Sequence, residues 1–217
     1  MSTLDRLGLE NVSVILVRQR RELGELLGFE TRNKYSIERE DGAILGYAAE
    51  QQKGILGFLL RQFIGHWRRF HFTIFDSQRQ SALHAEHPFR FLFQRMELFS
   101  APQDQGGVRL GAIQQRFGVL RKKIDIEDAR GEVLFRIESP IWRIWTFPVY
   151  RWSNEKADQE LARISKKWGG LLKEAFLDAD TFRVEFLSAS LRQEHRLLIL
   201  ASALFVDLQY FEKKAGK

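Results

Sequence analysis

The chain has no cysteine. That excludes disulfides, a thiol nucleophile, thiolate metal sites and an S-palmitoyl anchor, and it accords with a reducing cytosol. Its four prolines are scattered, and no Pro- or Ser-rich linker divides the 217 residues, so they read as one domain, 1–217. Met1 to Glu10 carries Asp5, Arg6 and Glu10 and holds no apolar stretch of roughly 7–15 residues, so no signal peptide is expected there. Position 2 is serine, which argues against a myristoylation start. Gly-rich phosphate loops, nucleophile elbows and Cys–His pairs are missing, so no covalent active site is expected. The five histidines, His66, His71, His84, His87 and His195, show no helical metal spacing. His84-Ala85-Glu86-His87 reads as a turn before Pro88 rather than a metal or acid–base site.

Charge of one sign is in excess. The net charge is +6, while the hydrophobic fraction of 44% and charged fraction of 29% are those of a soluble globular protein. Arg18, Arg20 and Arg21, then Arg68 and Arg69, then Arg116, Arg121, Lys122 and Lys123 form basic clusters suited to lipid phosphate. Nucleic acid would use the same residues, but no nucleic-acid-binding motif accompanies them.

Alternation of apolar and polar residues dominates the middle of the chain. Lys34–Glu40 and Ala43–Ala48 alternate around Asp41-Gly42, a hairpin turn pair. Phe70–Phe75, Phe89–Phe99, Val108–Ile113, Lys123–Glu127, Val133–Ile137, Ile141–Trp145 and Leu161–Ile164 repeat the pattern, with Asp/Gly turns between several of them. Short strands spaced about 8–12 residues apart predict an antiparallel sandwich or barrel. Trp142, Trp145, Trp152 and Trp168 read as core or rim aromatics.

Three segments depart from this period. Gln19–Leu27 has helical spacing. Ile55, Leu56, Leu59, Leu60, Phe63, Ile64 and Trp67 fall on one helical face opposite Arg61, with Arg68-Arg69 following. Such a face suits either a membrane interface or packing on the barrel itself or a partner subunit. Residues 191–211 are apolar on every side of a helix from Leu197 to Val206, which demands a core or lipid. Spanning a bilayer takes about 20 apolar residues, and Asp207 interrupts the run, so the expectation is a helix enclosed by protein. Strands that wrap such a helix close into a barrel, which also removes exposed sheet edges.

Several ordered motifs carry a family resemblance. Glu22-Leu23 leads to Gly28-Phe29-Glu30-Thr31-Arg32-Asn33-Lys34-Tyr35; Ala48-Ala49-Glu50, Phe75-Asp76 and His87-Pro88-Phe89-Arg90 follow. Ile164–Phe186, Ala203-Leu204-Phe205-Val206-Asp207 and Phe211-Glu212 close the series. From about Val17 to Glu212 the chain resembles the phospholipid scramblases. The resemblance implies a tubby-like fold, mainly β, in which a closed antiparallel barrel of about twelve strands surrounds a buried C-terminal helix. It also implies lipid movement between leaflets without covalent chemistry, usually calcium-dependent.

By resemblance, a weak calcium site would draw on Asp178 and Asp180 with the backbone oxygens of Phe182, Val184 and Phe186. The family pattern places acids at the first, third and twelfth positions of this segment. Here they are Asp178, Asp180 and Ala189, and Arg183 stands at the sixth. The expected lipid-facing residues are Arg18, Arg20, Arg21, Arg61, Trp67, Arg68, Arg69, Arg116, Arg121, Lys122 and Lys123. Two function classes stay open on the sequence. One is a peripheral, cytoplasmic protein that binds anionic phospholipid and moves it across the bilayer. The other is a non-enzymatic module recruiting protein, a second copy of itself, or nucleic acid.

Overall fold

A computed structural model of the chain describes residues 5–20, 33–51, 70–88, 90–167 and 181–211. The strands are β1 (Val14–Gln19), β2 (Lys34–Arg39), β3 (Ile44–Gln51), β4 (Phe70–Asp76), β5 (Ser81–His87) and β6 (Arg95–Phe99). They continue with β7 (Arg109–Arg116), β8 (Arg121–Asp128), β9 (Val133–Pro140), β10 (Thr146–Ser153), β11 (Lys156–Lys167) and β12 (Thr181–Phe186). One helix, α1 (Gln193–Tyr210), follows. Each strand pairs antiparallel with its sequence neighbours, and β1 pairs with β12, so the sheet closes into a barrel with no free edge.

The period of two explains the closure. Ile15, Val17, Tyr35, Ile37, Phe72, Ile74, Ile124, Ile126, Phe135, Ile137, Phe182 and Val184 occupy alternate positions and are buried. They line the bore and meet α1, whose residues from Arg196 to Gln209 are all buried. Ser202, the polar residue amid this apolar stretch, donates its hydroxyl back to the Leu198 carbonyl at 2.8 Å, so it costs no unsatisfied group. Gly111 makes room where β7 passes the helix. A Cβ there would stand 2.3 Å from the Glu127 carbonyl oxygen and 3.1 Å from Leu198 Cδ2.

The two ends of the barrel differ in kind. At one end, the turn end, several of the hairpins are tight and acidic. Gly42 takes φ +86° beside Asp41, whose side chain accepts from the Ala43 amide at 3.0 Å. Asp76 accepts from the amides of Gln78 and Gln80, and Asp128 from those of Arg130 and Glu132, all within 2.9 Å. The N-terminal residues plug this end: Leu7, Leu9 and Val12 are buried, and the buried Arg196 guanidinium donates to the carbonyls of Leu9, Val12 and Leu191. Burial lowers the Arg196 pKa, while these carbonyl dipoles and the Phe186 ring 4.7 Å away favour the cation and offset part of its desolvation.

At the opposite end, where α1 finishes, connections of 4 to 18 residues join β1 to β2, β3 to β4, β5 to β6, β7 to β8, β9 to β10 and β11 to β12. This is the rim end. Two strand expectations fail here. Phe89–Phe99 is strand only from Arg95, and Ile141–Trp145 is a connection, not a strand. Gln19, expected in a helix, ends β1, and His84–Glu86–His87, expected in a turn, belongs to β5. The terminal helix is Gln193–Tyr210, slightly shorter than the expected 191–211.

Candidate membrane-facing rim

Twelve large hydrophobic side chains are exposed among the described residues, and nine of them sit in three rim-end connections. Phe91, Leu92 and Phe93 lie between β5 and β6; Phe117, Val119 and Leu120 between β7 and β8; Ile141, Trp142 and Ile144 between β9 and β10. Phe117 is 71% exposed, Val119 73% and Trp142 69%, so these are not partly covered core residues. The three connections touch one another. The Phe93 and Phe117 rings meet edge to face at 6.2 Å, and the Ile141 amide donates to the Leu120 carbonyl at 3.1 Å. A contiguous apolar patch on a protein surface marks an interaction site.

The charge of these connections has one sign. Residues 88–94, 117–120 and 141–145 contain no Asp or Glu, yet include Arg90 and Arg143, both exposed. The turn end carries Glu40-Asp41, Asp76, Asp128 and Glu155 in its hairpins. These three rim connections are therefore apolar and basic, while the opposite hairpins hold those acids together with Arg79 and Arg130, so an anionic surface favours the three rim connections.

The sequence-expected cations divide by what they already hold. Arg18 and Arg20, on and just after β1, reach Glu38 of β2 at 3.1 and 2.9 Å. Arg116 pairs with Asp125 at 2.7 Å and with Glu127 at 3.3 Å. Arg121 pairs with Glu138 at 3.1 Å. Lys122 donates to the Arg143 carbonyl at 3.2 Å and lies over the rings of Phe147 and Tyr210 at 4.9 and 5.3 Å. Lys123 makes no ion pair among the described residues and lines an open polar groove of about 770 Å³ with Arg136, Glu138 and Trp152. Arg90 and Arg143 were not singled out in the sequence, because neither stands in a cluster of like charge. Arg21, Arg61, Trp67, Arg68 and Arg69 lie outside the described residues. Gln51 and Phe70, which bracket the last four, stand at the rim end.

Below the rim, the outer wall carries a ladder of ion pairs. Arg95 holds Glu127 at 2.6 Å and also bonds Glu97, which Arg109 reaches at 3.1 Å. Arg136 binds Asp125 at 2.6 Å and lies 3.5 Å from the centre of the Trp152 ring. Burial opposes ionisation of Glu97, but the bonds from Arg95 and Arg109 outweigh it and hold its carboxyl below the ordinary carboxylate range. The buried carboxylates of Glu127 and Asp125 are each paired with two or more guanidinium groups, as a buried charge requires.

Asp178 and Asp180 lie outside the described residues. Phe182, Val184 and Phe186, to which the resemblance assigns backbone ligands, belong to β12 and have buried side chains. β12 is paired on both sides, with β1 and with β11, so its carbonyls are directed into the two ladders. Arg183 faces outward and pairs with Glu40 and Glu185.

Comparison with known proteins decides the family. The scramblase family model matches residues 4–213. The chain belongs to the scramblase family. It is 28% identical to human phospholipid scramblase 1 over 219 residues, covering 96% of this chain and 66% of the human protein. It is 28% identical to bovine phospholipid scramblase 2, covering 96% of this chain and 72% of that one. A phospholipid scramblase family protein of Schizosaccharomyces pombe is 26% identical, with 94% of this chain and 60% of the yeast protein covered. The chain thus spans about two thirds of the length of these relatives. Within this scramblase-family chain, no described helix is long and apolar enough to cross a membrane.

Proposed function

We propose that the chain docks end-on against anionic phospholipid bilayers through its rim and there promotes movement of phospholipid between leaflets. The observation that carries this reading is the gathering of nine exposed apolar side chains, with uncommitted arginines and no acid, in three touching connections at one barrel end. Relatives over nearly the whole chain are named phospholipid scramblases. Trp142 suits the headgroup boundary, where an amphipathic ring is favoured. Phe91, Phe117 and Val119 would enter the acyl edge, and Arg90 and Arg143 would meet phosphate. Burying a side chain of this size is worth about 1.5–3 kcal/mol, and each cation near an anionic leaflet about 1 kcal/mol. Attachment is accordingly peripheral, from the cytoplasmic side.

A headgroup crossing about 30 Å of hydrocarbon needs a polar route. The bore is filled by α1, so the route left by the fold is outside: a bilayer thinned by the inserted rim, beside the charged outer wall. No bond is made or broken in such a process.

The test is co-sedimentation with vesicles of phosphatidylserine and phosphatidylcholine, followed by dithionite quenching of labelled lipid in reconstituted vesicles. Binding that rises with anionic lipid and falls with salt supports the reading. Absence of binding at low salt overturns it. Repeating the lipid-movement assay with and without calcium on the parent, Asp178→Ala and Asp180→Ala tests calcium dependence; equal activity in all six arms removes calcium from the account.

A further inference from the structure

A second constellation lies on the outer wall of β4 and β5. His71 is the register partner of Glu86, and Thr73 that of His84. Phe72, Ile74, Leu83 and Ala85 turn inward between them, so these four side chains share the outer face. One ring nitrogen of His71, one of His84 and one carboxylate oxygen of Glu86 lie within 4.8 Å of one another.

Four details separate this from a chance cluster. His84 Nε2 stands 3.8 Å from Glu86 Oε1, too long for a hydrogen bond yet close to the span of two ligands sharing one ion. The Thr73 hydroxyl meets His84 Nδ1 at 2.9 Å, which fixes the ring and turns Nε2 toward the carboxylate. His71 Nδ1 is sealed from solvent and has no hydrogen-bond partner, so it is open to water or an ion. The two imidazoles stack with centroids 5.7 Å apart and planes at 24°; imidazoles meeting at one tetrahedral ion have ring centres roughly 5 Å apart.

We propose that His71, His84 and Glu86 bind a divalent transition ion, with zinc the best fit. Two neutral imidazoles and one carboxylate are a zinc donor set that leaves a fourth position for water or an anionic ligand. Calcium, which takes about 6–8 oxygens, is excluded from a site dominated by nitrogen. The site is thus chemically separate from Asp178 and Asp180. The local charge permits it: on its other side Glu86 pairs in register with Glu97, and the neighbouring guanidiniums of Arg95 and Arg109 are already bound to Glu97 and Glu127. The sequence concealed the site because its ligands come from two strands, with neither a helical repeat nor a Cys/His spacing to announce it.

The experiment is titration of the untagged full-length protein with zinc by calorimetry and with cobalt by visible absorption. One equivalent of zinc and tetrahedral cobalt bands are expected, neither displaced by calcium. His71→Ala and Glu86→Gln, both at partly exposed positions, are expected to weaken binding at least tenfold while leaving the thermal midpoint of the metal-free protein unchanged. Asp178→Ala and Asp180→Ala are expected to bind as the parent does. No saturable binding by the parent, or affinity unchanged in the His71→Ala, Glu86→Gln double variant, overturns the proposal.

Discussion

Lys166 Nζ lies 3.5 Å from Asp207 Oδ1 inside the rim end of the barrel, and the Tyr35 hydroxyl donates to the other carboxylate oxygen at 2.6 Å. All three side chains are buried. The residue that interrupts the apolar run of α1 is therefore the residue that ties the helix to β2 and β11. Removing one partner of a buried pair leaves an uncompensated charge at a cost of about 3–5 kcal/mol. Asp207→Ala is expected to lower the urea midpoint by that order, and Asp207→Leu with Lys166→Met to recover much of the loss. Equal stability of Asp207→Ala and the parent would contradict the anchoring role.

Rim residues are expected to behave in the opposite way. Trp142→Ser and Phe117→Ser remove exposed side chains, so folding stability should change by less than about 0.5 kcal/mol. Vesicle binding should weaken by roughly tenfold or more for each, given about 1.5 kcal/mol or above per inserted side chain. Flotation assays on the folded variants separate the two effects.

The cations should rank by prior commitment. Arg90→Ala and Arg143→Ala remove guanidiniums with no acidic partner among the described residues and should each reduce affinity for anionic vesicles about fivefold, the equivalent of about 1 kcal/mol. Arg121→Ala also releases Glu138 and should produce a larger loss at low salt, because an unpaired carboxylate then faces the anionic leaflet. All three differences should shrink as salt screens them.

Gly111→Ala probes the fit of helix to wall. Its Cβ would press on the Glu127 carbonyl oxygen at 2.3 Å, which is backbone and does not yield easily. Overpacking of this kind costs about 1–3 kcal/mol, and a reduced thermal midpoint without loss of rim fluorescence is the expected result.

Acid should weaken the outer ladder. The folded-state pKa of Glu97 is lowered, so the unfolded chain binds its proton more readily. Stability from this group is present above its ordinary value of 4.5 and is lost as the pH falls below it through the folded-state pKa. Glu97→Gln should flatten that part of the stability–pH curve, measured by urea unfolding at stepped pH.

Much of the fold was legible because its cause is local. Alternation in Lys34–Glu40 or Val133–Ile137 assigns one face to a core, Asp41-Gly42 forces a reversal, and an all-round apolar stretch from Leu197 to Val206 must be enclosed. Those three facts together demand a barrel around a helix. The rim was hidden by the same rule. Phe91 and Phe93, or Ile141, Trp142 and Ile144, alternate or cluster as a strand would, and nothing in their order says that they lie past the strand end in solvent. Only closure of the sheet puts three separate connections on one mouth and leaves their apolar side chains exposed. Pairing across β4 and β5 likewise joins His71 to Glu86 and His84, residues whose spacing along the chain carries no metal signal. Period and turn chemistry act between neighbours in sequence and so can be read from it. Exposure, ion-pair partners and shared ligands depend on which strands meet, and that was decided by the tertiary structure.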